Sequence, residues 1–258
     1  MTEAYVKSVL HKGVKTIEFF HPQSNSLPEK ILLELASAIA HAGEDPDTTV
    51  IILRSAGEKS FCAGASFDEL AAIQNEKEGL AFFSGFAHVI NAMRTCPRFI
   101  IGRIQGKCVG GGVGLAAAAD YAIATEAADV KLSELAVGIG PFVVGPAVER
   151  KIGVSAFSQL AIDASMWRSA DWARRKGLFA EVHENMAGMD ESIGRLSLAL
   201  SLSSPAAMTE MKKIFWKGTD HWDTLLTERA KISGKLVLSE FTREAIKKFR
   251  TSKPVKDS

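Results

Sequence analysis

The residues best suited by type and spacing to chemistry are a run of glycines, Gly106, Gly110, Gly111, Gly112 and Gly114, and a glutamate downstream of them, Glu134. An isoleucine-rich stretch precedes the glycines and an alanine-rich one ending at Asp120 follows, which predicts strand, tight turn and helix, with the helix starting inside the glycines. Glycine lets a substrate approach the main chain closely, and the first turn of a helix has N–H groups with no partner inside the helix. Those donors, backed by the helix dipole, suit a negatively charged oxygen. A second turn of this kind, Ala63, Gly64, Ala65 and Ser66, comes after an apolar run at 50–54 that has the pattern of a buried parallel strand. The carboxyl ends of such strands are where an open parallel sheet places its ligand.

Three readings of the glycine run compete. It is a tight corner with no ligand, a dinucleotide fingerprint, or a pair of amides for an oxyanion. Gly112, Gly114 and Ala117 fit the permissive dinucleotide pattern. The context does not: Asp120 follows so closely that the helix has barely two turns, and no acidic residue closes an evident second strand at the usual spacing of about twenty residues. The oxyanion reading gains from the second turn at Ala65.

At these residues the chain resembles the enoyl-CoA hydratase/isomerase, or crotonase, family, over nearly its whole length. The motifs that carry the resemblance are 61–65, then 106–112 with Leu115 and Asp120, then Ser133 and Glu134 followed by 135–138; Asn25, Ser26 and Leu27 add a weaker match. The resemblance implies a spiral of β-β-α units with parallel sheets, an α/β fold, plus a C-terminal helical oligomerisation region. It puts the two oxyanion amides on Ala65 and Gly111, where they would hold the thioester oxygen of an acyl-CoA as it becomes an enolate, and the acid/base on Glu134. Ala63, Gly64, Phe67, Gly110, Gly112, Gly114, Pro141 and Phe142 would line the substrate, and Phe249 and Lys253 would lie near the adenine of a neighbour's CoA. Family hydratases usually carry a second glutamate where this chain has Gly114, and an aspartate where it has Ser66.

One carboxylate limits the reactions. Hydration of a 2-enoyl-CoA, with a branched, methylglutaconyl-CoA-like substrate among those the resemblance implies, is the reading taken here, with Glu134 passing the proton through water. The alternative is migration of a 3-enoyl double bond to the 2 position, which needs one base. A catalytically silent scaffold of the same fold is the non-enzymatic alternative. No separate cofactor is expected, since coenzyme A belongs to the substrate.

The rest of the chain must position these groups. Its 258 residues, 47% apolar, can bury a sizeable core. A net charge of +1 gives no reason to expect nucleic acid or a membrane surface as partner. Cys62, Cys96 and Cys108 lack metal-ligand spacing and read as buried small apolar groups in a reducing cytoplasm. No leader and no membrane-spanning run is evident.

The pattern predicts an opening hairpin at 5–10 and 14–20, and a helix after a capping box at Ser26 and Glu29. It then gives a short helix at 68–73, a mobile polar segment at 74–79, and a helix carrying Phe82, Phe86, Val89, Ile90 and Met93 up to Pro97. Short strands at 121–125 and 179–182 alternate with helices, a polar connection leading from the first of them through 130–132 to Glu134. Past residue 190 only helices are predicted. The division drawn is 1–202 for the core with the acyl-CoA site and 203–258 for the helical tail, which in the family joins subunits into trimers or hexamers. The apolar loop at 137–146 would raise the pKa of Glu134 by burying it.

Overall fold

The computed structural model describes residues 3–252, with side chains through residue 248. β1 (Tyr5–His11) and β2 (Val14–Phe20) form the opening hairpin, which turns on Lys12 and Gly13 at positive φ. After α1 (Glu29–Glu44) the chain repeats one unit of long strand, short strand and helix. The first is β3 (Val50–Ser55), β4 (Ser60–Cys62) and the helices α2 (Phe67–Ala72) and α3 (Glu76–Thr95). The second is β5 (Phe99–Ile104), β6 (Lys107–Val109) and α4 (Gly111–Ala118). The third is β7 (Tyr121–Thr125), β8 (Val130–Lys131), a 3₁₀ turn at Glu134–Val137 and α5 (Gly145–Ile162).

The long strands join a six-stranded sheet in the order β1-β2-β3-β5-β7 and a final β9 (Glu181–His183), parallel apart from the hairpin. The short strands make a separate three-stranded parallel sheet, β4-β6-β8. The sequence pattern predicts that the strand at 50–54 feeds the Ala65 turn and the isoleucine-rich strand feeds the glycines. Instead the chain turns a corner after each long strand and reaches its turn through a short one. Strands of two or three residues are too short to show periodicity, which is why the pattern misses them. The corners pack backbone to backbone: a β-carbon on Gly106 would stand 2.6 Å from the Lys59 carbonyl oxygen. Gln105 ties them together, its Nε2 donating to Ser55 Oγ at 2.8 Å and to the carbonyls of Gly57 and Ser60.

All eight residues of α4 are buried, as a segment of glycine, alanine, valine and leucine with no polar face requires. α3 turns Phe82, Phe86, Val89, Ile90 and Met93 inward, as predicted. It also takes in part of the segment expected to be mobile, because Asn75 caps it: Asn75 Oδ1 accepts from Glu78 N at 3.0 Å and Glu78 Oε1 accepts from Asn75 Nδ2 at 2.8 Å.

Among the described residues no strand follows β9. α6 (Ala170–Arg175) precedes it, and α7 (Met186–Ser201), α8 (Pro205–Phe215), α9 (Trp222–Leu236) and α10 (Glu240–Ser252) come after. α9 lies along α3, where Gly79 meets Gly234 so closely that a β-carbon on Gly79 would stand 2.7 Å from the Gly234 Cα. α8 is pinned by a buried ion pair, Lys212 Nζ to Asp120 Oδ2 at 2.9 Å. Among the described residues no helix is long and apolar enough to cross a membrane.

Candidate active site

The three short strands of the small sheet each deliver one group. β4 leads to Ala65, β6 to Gly110 and Gly111, and β8 to Glu134, all at the carboxyl ends of parallel neighbours.

The Ala65 turn is held from the segment 25–27. Leu27 N donates to Gly64 O at 2.7 Å and Ser66 N donates to Leu27 O at 2.9 Å, so Leu27 pairs with the residues on either side of Ala65 and leaves the Ala65 amide facing away from it. Ser26 Oγ donates to the Ala65 carbonyl at 2.8 Å, and Ala63 N donates to Asn25 O. Asn25 sits in the left-handed region at φ 56°, and its Nδ2 donates to the carbonyls of Ala56 and Ser60. The capping box predicted at Ser26 and Glu29 is therefore absent: Ser26 serves Ala65, and Glu29 N is capped by Glu69 Oε2 from α2 at 2.9 Å. Asn25, Ser26 and Leu27 carry more of the site than their weak motif signal suggests. Ser66 caps α2 by accepting from Glu69 N at 3.3 Å.

The glycine turn abuts the Ala65 turn. A β-carbon on Gly64 would stand 3.7 Å from Gly111 N and 3.2 Å from Val109 O, and one on Gly112 would overlap the Cys62 carbonyl. One on Gly111 would overlap the ring of Phe86, so the aromatic side chain read as core forms the seat of this turn. Gly111 opens α4, and its N–H has no acceptor within the helix. Gly110 takes φ 52°, ψ −113°, which favours glycine.

Glu134 completes the group. A β-carbon on Gly110 would stand 2.9 Å from Glu134 Oε1, so the carboxyl lies over the residue next to the Gly111 amide. The residue as a whole keeps some surface, but its Oε2 is sealed and has no hydrogen-bond partner. Burial raises its pKa from 4.5 to about 7, against a small opposing pull from its own backbone. Main-chain amides at two abutting turns and a carboxyl whose pKa burial raises to about 7 are the kinds of group that can stabilise an oxyanion while moving a proton beside it.

The other predicted residues fall around this centre. Phe67 opens α2 and packs against the small cluster of Ile139, Val237 and Ile246. Pro141 and Phe142 lie in the loop after the turn, with the Phe142 ring folded back on Gly140. Phe249 lies on α10, its side chain outside the described residues, as is Lys253. Cys62 and Cys108 are buried neighbours in β4 and β6, and burial pushes the Cys62 thiol up to about 12, as expected of inert apolar groups. Among the described residues no cluster of three metal-ligating side chains occurs.

Gly114 explains the missing second carboxylate in steric terms. A β-carbon there would stand 2.6 Å from Val144 Cγ1, with Ile90 Cδ1 at 3.6 Å. Introducing Gly114→Glu alone is therefore expected to cost about 1–3 kcal/mol of stability through overpacking, and to add no activity. Gly114→Glu with Val144→Ala should recover most of the melting temperature, and calorimetry of the two variants checks this.

The family profile for enoyl-CoA hydratase/isomerase matches residues 10–253 of this chain. The chain belongs to the enoyl-CoA hydratase/isomerase family. A Rhizobium meliloti (strain 1021) protein named "Probable enoyl-CoA hydratase" is 31% identical over 198 residues, 76% of this chain and 75% of that protein. A Rhodococcus jostii (strain RHA1) protein named as a hexahydro-indene-carboxyl-CoA hydrolase is 34% identical over 123 residues, but that match spans only 48% of this chain and 47% of its own length. The crystal structure of enoyl-CoA hydratase from Bacillus halodurans superposes with a TM-score of 0.87 at 22% identity, covering 95% of this chain and 99% of that one. The crotonase fold, with largely parallel sheets and C-terminal helices, is thus that of the family.

Proposed function

We propose that this family member hydrates a 2-enoyl-CoA, with the Ala65 and Gly111 amides as the oxyanion hole and Glu134 as the sole acid/base. The observation that carries the reading is the sealed, unpartnered Oε2 of Glu134 beside the glycine turn. As water attacks the β carbon, Glu134 takes its proton, and the thioester oxygen gathers the displaced charge as an enolate. The two amides hold that charge, each worth roughly 10²–10³ in rate. Glu134 then gives the same proton to the α carbon, so one molecule of water is added and the carboxylate is restored. A pKa near 7 suits both halves of this cycle. Short branched acyl groups of the methylglutaconyl type are the substrates proposed, and self-association into trimers or hexamers belongs to the same proposal.

One observation favours a second reading, migration of a double bond from the 3 to the 2 position. Val144 and Ile90 wall off position 114, where a second carboxylate would share in holding water. In that reaction Glu134 removes a proton from the α carbon and returns it at the γ carbon, with the same amides holding the dienolate.

A panel of 2-enoyl and 3-enoyl thioesters, followed by absorbance of the conjugated enoyl thioester, separates the two. Loss of absorbance from 2-enoyl substrates supports hydration, and a gain from 3-enoyl substrates supports isomerisation. No change with either set would overturn the proposed activity.

A further inference from the structure

The turn that carries Glu134 is wound onto that residue's own backbone. Gly138 ends it at φ 79° and donates to the Glu134 and Leu135 carbonyls, while Ile139 N donates to Glu134 O at 3.0 Å. A 3₁₀ turn of four residues has few bonds of its own, so its place is set by what it packs on. Here that is the first turn of α10. A β-carbon on Gly138 would overlap Thr242 Oγ1 and stand 2.6 Å from Phe241 Cδ1. Thr242 is fully buried between exposed neighbours, Phe241 and Arg243. Ser239 fixes it from the other side, with Oγ accepting from Thr242 N at 3.3 Å and donating to Thr242 Oγ1 at 3.1 Å. Further along α10, Ile246 joins Ile139 and Val237 in a small apolar cluster separate from the main core.

We infer that α10 is a latch for the Glu134 turn, with Thr242 and Ile246 as positioning residues that hold the carboxyl against Gly110. This rests on Glu134 being the proton carrier and extends it, because the tail of the same chain becomes part of the site. Among the described residues no charged side chain pairs with the carboxyl. Glu149 and Arg150 on α5, Glu240, Arg243, Glu244, Lys247 and Lys248 on α10 and Asp68 on α2 are exposed, Glu69 on α2 caps α1, and α4 has no charged residue. What keeps water from Glu134 on this side is packing alone, and packing is what the latch supplies.

The test is hydrogen–deuterium exchange and kinetics on the full-length Thr242→Ala/Ile246→Ala variant. Amides 134–139 should exchange about tenfold faster or more, while those of 109–118 keep their protection. On an enoyl-CoA, kcat should fall about tenfold with KM little changed, and the acid limb of the pH profile should move below the wild-type position as water reaches the carboxyl. Gly138→Ala pushes α10 away from the opposite side and should give the same pattern. Should the double variant not fold, the single Thr242→Ala chain carries the same exchange readout. Unchanged protection across 134–139 in these variants overturns the latch, whether or not the protein turns over a thioester. A wild type inert to every enoyl-CoA overturns the proposed activity instead, and the exchange result still decides the latch.

Discussion

Glu134→Gln is expected to abolish turnover, by about 10⁴-fold or more, while acyl-CoA still binds at near wild-type affinity. The isosteric amide keeps the shape of the site and cannot carry a proton, so the loss falls on kcat, and titration calorimetry with an unreactive acyl-CoA checks the binding half. The same substitution should make the fold more stable, in a way that depends on pH. The carboxyl's pKa is about 7 in the folded protein against an ordinary 4.5. Below pH 4.5 both folded and unfolded chains hold the proton, and the buried group costs nothing in this respect. As pH rises from 4.5 to 7 the unfolded chain releases its proton while the folded one keeps it, so stability drains away and levels off above pH 7. The deficit is on the order of 3 kcal/mol at pH 8. Glu134→Gln removes it, so its melting temperature should exceed that of the wild type at pH 8 and match it near pH 4. Equal melting temperatures at both pH values would mean that the carboxyl is not sealed. Comparable turnover in the variant would remove Glu134 from the mechanism.

Lys212→Met should have the largest effect on stability, a loss of about 3–5 kcal/mol. Lys212 and Asp120 are both buried, at 3% and 8% side-chain exposure, and the ammonium also donates to Arg98 O at 2.7 Å. Asp120 Oδ2 accepts from Ile100 N at 2.8 Å and Oδ1 accepts from Trp216 Nε1 at 3.0 Å, so one carboxylate joins the start of β5 to the end of α8. Removing the lysine leaves that charge in the interior hydrogen-bonded only to neutral donors, with the Lys151 ammonium, which donates to the Asp120 carbonyl, as a nearby cation. For a chain of this size the loss corresponds to roughly 6–20 °C in melting temperature. Adding Asp120→Asn to Lys212→Met should return part of it, because the buried charge is gone and the amide oxygen keeps one of the two bonds, from Ile100 N or from Trp216 Nε1. Full additivity of the two substitutions would show that the ion pair contributes no coupling.

Much of this arrangement is legible in the residues themselves. Glycines of the 110–114 run announce a helix start, and the apolar, glycine-rich stretch after Glu134 announces its burial. The hairpin, the inward face of α3 and the helical tail follow from periodicity and turn chemistry. Four things are not legible. The small sheet is invisible because strands of two or three residues have no period. Ser26 reads as a cap, since serine followed three residues later by glutamate has that spacing, yet its hydroxyl is taken by Ala65 O, a long-range partner that no local pattern encodes. Val144 filling the space beside Gly114 is likewise a contact between distant segments, α4 and the loop before α5. Asp120 shows a fourth kind of gap: the motif marks its position, while its work, holding α8 through Lys212 and Trp216, depends on residues near the other end of the chain.

Because β4, β6 and β8 each lead to a different part of the site, the proposed centre is modular. Exchanging the acid at the exit of β8 leaves the amide pair supplied by the other two units in place, and widening the wall at Val144 leaves all three strands untouched. Such a scaffold lets new chemistry be drafted one repeat at a time, on a foundation that need not be rebuilt for each trial.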